Sequence, residues 1–299
     1  MSELIKNLPK INGVYRQDVE LKSWFDVGGK AEILFRPSDI NDLAFFLKNI
    51  SKEIPLTIIG AASNVIIKDE GINGVVIKLP GEFAKISHQE EIITAGAASL
   101  CGNVALYSRN CALANLEFLT GIPGSIGGAI AMNAGCYGSD ISQVLISAKA
   151  LDFRGNIVEL KNSDFNFYYR GNKIARDFIF IEATFKADKS SIEEVSKKIN
   201  ECNTNRENAQ PIRAKTGGST FKNPNPHDPQ IKKAWQLIDE AGCRGLLVGD
   251  AEISKKHCNF MINRGRASAQ DLIDLGNKVK QEVAAKTGVN LEWEIKILG

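Results

Sequence analysis

The segment 121–138, GIPGSIGGAIAMNAGCYG, holds six glycines in eighteen positions and is otherwise almost wholly apolar. Glycine inside regular structure costs about 0.5–1 kcal/mol relative to alanine, so this density indicates a backbone that something approaches closely or that needs positive φ. Isoleucines and a methionine stand among the glycines, which favours buried or half-buried backbone lying against a flat apolar group. A ligand that carries phosphates is the first candidate.

A second sparse loop, Gly60-Ala61-Ala62-Ser63-Asn64, separates the apolar runs LTII and VIIK. Its consecutive N–H groups could form a concavity that holds an anion. Alone, such a loop is more often an ordinary turn, but two of them in a β-rich stretch indicate one extended ligand. Neither is a familiar nucleotide motif, because the chain lacks G-x-x-x-x-G-K-[ST] and lacks a G-x-G-x-x-G that opens a helix after a strand.

A third stretch, KTGGSTFKNP at 215–224, combines hydroxyl, cationic and amide side chains. Two glycines free the backbone ahead of Ser219 and Thr220, and Lys222 and Asn223 follow. A hydroxyl held in a tight loop beside a cation can donate a proton to a strongly basic carbon or oxygen, or can bind phosphate. A polar hairpin turn is the alternative, and the spacing leaves it open.

Two isolated charged residues are also candidates for a functional role. Arg170 follows the aromatic run FNFYY, and Glu294 stands in the closing run LEWEIKIL on the face opposite Trp293. An arginine can clamp a carboxylate through two parallel hydrogen bonds. A surface cation and a solvated strand face are the ordinary alternatives, since charged residues are seldom buried unpaired. The spacing decides neither case.

Composition limits the class of protein. A chain of 299 residues with 43% hydrophobic residues can bury a large core and predicts two domains. The balance of 37 basic and 35 acidic residues argues against a nucleic-acid partner. No apolar run approaches the roughly 18–20 residues that span a bilayer, so we expect a cytoplasmic protein without a membrane partner. The six cysteines form no C-x-x-C pair, so neither disulfides nor a metal site is expected.

The elements that must position these residues differ between the two parts of the chain. From 28 to 187, short β-rich runs separated by turns dominate, and helical patterns occur only at 40–50 and near 100–111. This predicts an α+β fold without the steady strand-helix alternation of a doubly wound sheet. The predicted organisation is an N-terminal segment at 1–27, a domain at 28–190 and a second domain at 200–299.

The second domain begins after a polar helical stretch that Ser190 or Ser191 can cap. Asp228-Pro229 then offers the N-cap and first turn of a helix, which a glycine at 242 ends. Another helix is capped by Ser268 and ended by Gly288. The closing LEWEIKIL alternates apolar and charged residues, which predicts a strand with one buried face.

Several segments, taken together and in order, carry a family resemblance: SWFDVGGKAE, GAASN, GIPGSIGGAIAMNAGCYG, the YYR at 168–170, GGSTFKNP, AGCRGLLVGDAEIS with HCNFMIN, and LEWEIKILG. The chain resembles the UDP-N-acetylenolpyruvoylglucosamine reductases, flavoenzymes of peptidoglycan precursor synthesis. The resemblance implies a PCMH-type FAD-binding domain followed by a smaller α+β substrate-binding domain. The direct passage from YYRGNKI to FIFIEATF is similar to the shorter subclass, which lacks an extra tyrosine-bearing loop.

The resemblance also implies roles for single residues. Non-covalent FAD would be held by both glycine loops, through Gly60, Ala61, Ala62, Ser63, Asn64, Pro123, Gly124, Ser125, Gly127, Gly128 and Ala129. Arg170 and Glu294 match the pair at the substrate carboxylate, and Ser219 matches the proton donor. The expected substrate contacts are Tyr169, Lys222, Asn223, Arg244 and His257. Ala62 departs from the glycine usual in the family, and a positive φ there would strain it by roughly 1–2 kcal/mol.

The implied reaction moves a hydride from NADPH through FAD to the terminal carbon of an enolpyruvyl ether, which converts UDP-N-acetylglucosamine enolpyruvate to UDP-N-acetylmuramate. Arg170 would hold the carboxylate, Ser219 would protonate the other carbon, and Glu294 would help only if it carries or shares a proton. Two alternatives stay open: an FAD-dependent oxidase of a small hydroxy compound, and a non-catalytic nucleotide-binding module. The expected partners are the UDP-sugar and NADPH, and the expected oligomeric state is a monomer.

Overall fold

Each β-rich run predicted between 28 and 187 forms a strand in the computed structural model, which describes residues 3–226, 228 and 230–299. The first strands are β1 (Val14–Glu20), β2 (Lys30–Arg36), β3 (Leu56–Ile58), β4 (Val65–Ile67), β5 (Ile72–Ile77), β6 (Ile86–Gln89) and β7 (Ile92–Gly96). There follow β8 (Leu113–Ala114), β9 (Gly135–Cys136), β10 (Ser139–Asp140), β11 (Leu145–Asp152), β12 (Ile157–Lys161), β13 (Phe178–Lys186) and β14 (Asp188–Lys189). The last are β15 (Leu247–Val248), β16 (Ala251–Ile253), β17 (Met261–Asn263) and β18 (Lys296–Leu298).

The helices are fewer, as the sequence predicts. They are α1 (Glu3–Lys6), α2 (Ile40–Asn49), α3 (Cys101–Asn110), α4 (Ile126–Met132), α5 (Ile141–Val144), α6 (Ile192–Ala209), α7 (Ala234–Glu240) and α8 (Ala269–Thr287). Short 3₁₀ turns lie at Gly81–Ala84, Glu117–Gly121 and Asn162–Phe165. This mixture confirms the predicted α+β class. Across the described residues, every helix is too short or too polar to cross a bilayer.

The chain divides into two units, each built from separated segments. The first unit comprises the described part of Met1–Val19, Glu32–Ala61 and Gly74–Asn205. The second unit comprises Glu20–Ala31, Ala62–Asn73 and Arg206–Gly299.

The first unit contains two cores. Helix α2 packs on the sheet β1-β2-β5-β3, where the rings of Phe35 and Phe46 are both fully buried and lie 4.3 Å apart. The second core lies beside the antiparallel sheet β12-β11-β13-β7-β6. Helices α3 and α4 contribute to it, and Ile126 and Ile130 of α4 are fully buried there. The apolar residues among the glycines of 121–138 therefore anchor α4 in the protein interior.

The second unit is organised around α8. Ser268 caps this helix as predicted, because its hydroxyl accepts the Asp271 N–H at 3.0 Å while the Asp271 carboxylate accepts the Ser268 N–H at 3.0 Å. The helix ends at Gly288 in the left-handed conformation, with φ of 73°. Its predicted apolar face is fully buried against the rest of the unit, through Leu272, Leu275, Val279 and Val283.

Two predicted elements of the second unit need correction. The helix expected from Asp228-Pro229 begins only at Ala234; of the predicted cap pair, Pro229 lies outside the described residues. The Asn223 side chain accepts the Ala234 N–H at 3.0 Å, so a contact from another loop determines where α7 begins. The closing strand is confined to Lys296–Leu298, which pairs in parallel with β4. Ile297, predicted on the buried face, is 37% exposed.

The main chain of Ala62 adopts φ of 54°. This is the left-handed conformation that would strain an alanine at a position where the family usually has glycine. The Ala62 carbonyl accepts the Trp24 N–H at 3.1 Å, so the second unit holds the strained residue in place. A left-handed alanine costs about 1–2 kcal/mol. Replacement by glycine removes that strain, and the greater freedom of glycine in the unfolded chain offsets about 0.5–1 kcal/mol of the gain.

We therefore expect Ala62→Gly to raise the free energy of unfolding by about 0.5 kcal/mol. Chemical denaturation at a fixed ligand concentration measures the change. The matched control is Ala209→Gly, at the exposed end of α6, where glycine brings only its entropic cost and should destabilise. An Ala62→Gly variant that loses as much stability as the control would contradict the strain at Ala62.

Candidate active site

Most glycines of 121–138 serve the packing of the first unit. A Cβ atom at Gly121 would lie 2.7 Å from Cys136 Sγ, one at Gly127 would lie 3.1 Å from Ala97 Cβ, and one at Gly135 would lie 2.5 Å from the Asp140 side chain. Gly138 has room but adopts φ of 83°, which side chains rarely tolerate. Close packing within the protein explains the first three positions, and the main-chain conformation explains Gly138.

Gly128 differs, because a Cβ atom there would meet only Ser125 Oγ, at 3.6 Å. Gly60, in the other glycine loop, faces the same hydroxyl so closely that a Cβ atom would collide with it. Ser125 is the N-cap residue of α4, yet its side chain makes no capping hydrogen bond. Gly60 and Gly128 are exposed, so two stretches of bare backbone at the surface of the first unit adjoin the buried Ser125 side chain.

This arrangement fits a phosphate-bearing cofactor such as FAD. The space beside Ser125 Oγ is a cradle that a side chain at position 60 would fill. The neighbouring Ser99 hydroxyl is buried without a hydrogen-bond partner, and the Ser99 carbonyl accepts the Ile126 N–H at 2.9 Å. Pro123, Gly124 and Ala129 of the predicted cofactor set flank these residues in the sequence, whereas Ala62, Ser63 and Asn64 belong to the second unit.

Arg170 lies in a two-residue turn of the first unit. Tyr168 and Gly171 exchange both main-chain hydrogen bonds, at 2.9 and 3.1 Å, and Arg170 adopts φ of 60° between them. The Arg170 guanidinium carbon lies 5.0 Å from the centre of the Tyr169 ring. A left-handed conformation at a residue other than glycine persists only where the surroundings enforce it, which is common at functional sites.

Ser219 occupies a rigid segment of the second unit. Gly217 packs against the Phe25 ring, where a Cβ atom would collide, and Gly218 adopts φ of 84°. On the following residue, the Thr220 N–H donates to the Asn259 carbonyl at 2.8 Å, and the Thr220 carbonyl accepts the Glu294 N–H at 2.8 Å. Main-chain bonds on both sides thus fix the residue next to Ser219.

Thr220, the other hydroxyl of the GGST motif, is not available as an acid. Its side chain is fully buried, and its Oγ1 accepts the Met261 N–H at 3.2 Å. Ser219 is partly exposed and pairs with Phe260 through an isolated β-bridge. The burial of Thr220 therefore distinguishes two neighbouring hydroxyls that residue spacing alone leaves equivalent, and it favours Ser219, the residue that the resemblance names.

Glu294 is half-buried, so the reading of its position as a solvated strand face is wrong. Its carbonyl accepts a hydrogen bond from the Asn64 side-chain amide at 3.2 Å, and the Asn64 carbonyl accepts the Lys296 N–H at 3.1 Å. Asn64, expected from the resemblance at the cofactor, therefore holds the main chain of Glu294 and of Lys296, on the two sides of Ile295.

Lys222 pairs with Glu292. The Lys222 N–H donates to the Glu292 carbonyl at 2.9 Å, and its ammonium lies 3.3 Å from the Glu292 carboxylate. The Glu292 side chain is 76% exposed, so solvent screens this pair and it contributes little to stability. Asn223, three residues after the GGST motif ends at Thr220, uses its side-chain oxygen to accept the first N–H of α7.

Arg244 is occupied by partners of its own unit. Its guanidinium makes two parallel hydrogen bonds to the Asp239 carboxylate, at 2.9 and 2.8 Å, and also donates to the Lys255 carbonyl. The hydrogen bonds from Arg244 lower the pKa of Asp239 and keep that carboxylate ionised. Arg244 thus ties the end of α7 to the loop that carries His257.

His257 is a neutral hydrogen-bond donor. Burial lowers the pKa of its imidazole, and Nδ1 accepts the Asn259 N–H at 3.2 Å, so the ring proton is on Nε2. The ring packs edge-on against Phe260 with centroids 4.8 Å apart, and Trp235 lies beyond it at 6.3 Å.

Asn259 is a residue that the sequence reading missed. Its side chain accepts the Phe221 N–H at 3.0 Å and donates to the Phe221 carbonyl at 2.8 Å, while its main chain bonds Thr220 and His257. Asn259 lies in the HCNFMIN segment that carries part of the resemblance, yet Phe221, the partner of its side chain, is 38 positions away. No local pattern signals a pairing at that distance.

Comparison with known proteins accounts for both units. Residues 31–161 match the model described as FAD binding domain, and residues 210–298 match UDP-N-acetylenolpyruvoylglucosamine reductase, C-terminal domain. The UDP-N-acetylenolpyruvoylglucosamine reductase of Rickettsia typhi is 47% identical to the chain over 98% of each protein. The chain belongs to the UDP-N-acetylenolpyruvoylglucosamine reductase family. The order of the two matched domains confirms the predicted fold.

Further members of the reductase family support this assignment. The enzyme of Wolbachia sp. subsp. Drosophila simulans is 46% identical over 99% of each chain. The crystal structure of UDP-N-acetylenolpyruvylglucosamine reductase from Thermus caldophilus superposes with a TM-score of 0.82 at 29% identity, covering 97% of this chain and 100% of that one. Membership in the reductase family removes the alternatives of a small-molecule oxidase and a non-catalytic module.

The cradle beside Ser125 gives a direct test of cofactor binding. The Cβ atom of a valine at Gly128 would meet only Ser125 Oγ outside its own helix, whereas the Cβ atom in Gly127→Val would lie 3.1 Å from Ala97 Cβ and confound the result. We expect Gly128→Val to weaken FAD binding at least about tenfold, equivalent to about 1.4 kcal/mol. Titration of the apoprotein by flavin fluorescence measures this.

The matched control is Gly81→Val, in the same unit, where a Cβ atom meets nothing within 4 Å. It should bind FAD normally, and circular dichroism of both apoproteins checks the fold. Normal FAD affinity in Gly128→Val would remove this face of α4 from the cofactor site.

Proposed function

We propose that Arg170, Ser219 and Glu294 carry the reaction of the reductase family in this chain, the NADPH-dependent reduction of UDP-N-acetylglucosamine enolpyruvate to UDP-N-acetylmuramate. When bound, FAD would supply the redox chemistry, the passage of a hydride from NADPH to the terminal carbon of the enolpyruvyl group. The observation that carries the proposal is the main-chain bond between Glu294 and Thr220, which holds Glu294 alongside the residue that follows Ser219.

Arg170 would hold the substrate carboxylate. Hydride addition to the terminal carbon leaves negative charge on the neighbouring carbon, which the attached carboxylate shares as an enolate. A planar guanidinium can bind both carboxylate oxygens and stabilise that charge as it forms. The turn that keeps Arg170 at φ of 60°, with Tyr169 beside its guanidinium, supports a fixed direction for this side chain.

Ser219 would complete the reaction by protonating the carbon that bears the ether oxygen. The serine O–H bond breaks, a C–H bond forms, and solvent returns a proton to the serine oxygen. Glu294 assists only in a protonated or proton-sharing state, because a bare carboxylate would repel the enolate.

The remaining site residues divide into those proposed to bind FAD and those proposed to contact the UDP-sugar. We assign FAD to Ser125 with Gly60, Ala61, Gly128 and their neighbours, and to the domain predicted at 28–190. His257, with its Nε2 proton, is a donor suited to a carbonyl or phosphate oxygen of the UDP-sugar. Tyr169, Lys222 and Asn223 remain proposed substrate contacts, while Arg244 would act by fixing the His257 loop.

The compartment and oligomeric state belong to the same proposal. All six cysteines lie within the described residues and are free, which is the state that a reducing cytoplasm maintains. A monomer is the simplest state for an enzyme whose proposed residues all come from one chain, and light scattering of the purified protein measures it.

The experiment is anaerobic stopped-flow absorbance, in which NADPH bleaches the flavin and the enolpyruvyl substrate restores its colour. We expect Arg170→Lys to leave the bleaching rate unchanged and to slow the return of colour about 100-fold, because lysine keeps the charge but loses the planar fork. Arg176→Lys, an exposed arginine six positions along, is the matched control and should behave as wild type.

Two results would overturn the proposal. Wild-type recovery of colour in Arg170→Lys would make Arg170 an ordinary surface cation. A wild-type enzyme that is not reoxidised by the enolpyruvyl substrate would remove the assigned reaction altogether.

A further inference from the structure

Two buried asparagines connect the Arg170 turn to the end of α4. Asn133 and Asn172 are 4% and 6% exposed, and both belong to the first unit. We propose that they are positioning residues, which fix Arg170 relative to the helix whose other end carries Ser125 and Gly128. The proposal rests on the proposed function, because it matters only if Arg170 and α4 serve the same reaction.

Asn133 reaches the turn from the helix. It is the C-cap residue of α4 and adopts the left-handed conformation, with φ of 44°. Its side-chain oxygen accepts the Ser142 N–H at 2.9 Å, which orients the amide. The amide nitrogen then donates to the Tyr168 carbonyl at 3.2 Å. That carbonyl also accepts the Gly171 N–H, so Asn133 bonds to the group that closes the turn.

Asn172 reaches the helix from the turn. It follows Gly171 directly, and its amide nitrogen donates to the carbonyls of Ile130 and Ala131 at 2.9 and 3.3 Å. Its side-chain oxygen accepts the Ile174 N–H at 3.1 Å, so this amide is oriented as well. Carbonyls in the last turn of a helix lack helical partners and must be satisfied elsewhere. The two amides therefore bond the same junction from opposite sides.

The helix between the two functional groups is short and firmly held. Its seven residues span about 10 Å, and the side chains of Ile126 and Ile130 are fully buried. Fixing the Arg170 turn to its last residues therefore sets the distance from the Arg170 main chain, which carries the guanidinium, to the start of the helix. Displacement of a reacting group by about 1 Å can cost about 100-fold in rate, so the junction has kinetic consequences.

Asn133→Asp isolates this role. Aspartate keeps the length of the side chain, tolerates the left-handed conformation and still accepts the Ser142 N–H, but it cannot donate to the Tyr168 carbonyl. We expect unchanged FAD affinity and unchanged bleaching by NADPH, while reoxidation by the enolpyruvyl substrate slows at least about tenfold. Calorimetry with the oxidised enzyme should show weaker binding of the same substrate.

The matched control is Asn166→Asp. Asn166 is also left-handed, with φ of 46°, and its amide donates to the Asp164 carbonyl at 3.3 Å on the surface. This variant should match wild type in both half-reactions. Asn172→Asp, which loses the donor to Ile130, repeats the test if Asn133→Asp proves unstable in thermal unfolding.

A double variant separates positioning from general stability. If Asn133 acts through Arg170, adding Asn133→Asp to Arg170→Lys should slow reoxidation little beyond Arg170→Lys alone. Fully additive losses, or equal losses in both half-reactions, would overturn the proposal. If Arg170→Lys is impaired while Asn133→Asp matches wild type, the junction alone is refuted; if Arg170→Lys is itself normal, the proposed function of Arg170 fails first.

Discussion

The main chain of Thr220 is bonded on both sides, to the Asn259 carbonyl through its N–H and to the Glu294 N–H through its carbonyl. The proposed chemistry in the second unit depends on this pair of bonds. They align three segments that are distant in sequence, and they place Ser219 one residue from a fully buried side chain. The Asn259 amide makes two hydrogen bonds to Phe221, the residue after Thr220. Asn64 holds the carbonyl of Glu294, the hydrogen-bond partner of Thr220, so these two residues are fixed as well. Side chains carried on such a frame lose little freedom when a substrate binds.

In the first unit, the proposed cofactor site depends on main chain that a ligand can approach. Gly60 and Gly128 combine exposure with proximity to the Ser125 hydroxyl, whereas Gly121, Gly127 and Gly135 allow other protein atoms to approach. The isoleucines of the same segment lie in the core. A glycine-rich sequence therefore has two functions here: it packs a short helix tightly and leaves one face of that helix bare.

Much of this could be predicted from the sequence, because the signals are local. The strands of the first unit and the caps of α8 follow from neighbouring residues, while the strain at Ala62 was expected from the glycine that is usual there in the family. The predicted start of α7 was wrong because the side chain of Asn223, eleven positions before Ala234, accepts the N–H at the first residue of the helix. The sequence could not predict the partial burial of Glu294 for the same reason. Nor could it predict the roles of three asparagines, because each depends on hydrogen bonds between segments that no spacing rule relates: Asn133, Asn172 and Asn259. The family resemblance named Ser219 and Arg170, and the burial of Thr220 adds a physical reason for Ser219 over its neighbour.

The most direct test of the central claim is the return of flavin colour in Ser219→Ala after reduction by NADPH. Bleaching should proceed at a near-normal rate, because hydride transfer from NADPH does not use the serine hydroxyl. Reoxidation by the enolpyruvyl substrate should slow by about 10²–10⁴-fold, the usual cost of losing a positioned general acid. Thr220→Ser, which keeps the hydroxyl that accepts the Met261 N–H, is the control and should reoxidise normally. A Ser219→Ala enzyme that regains its colour at the wild-type rate would contradict the account and leave Ser219 as a turn residue.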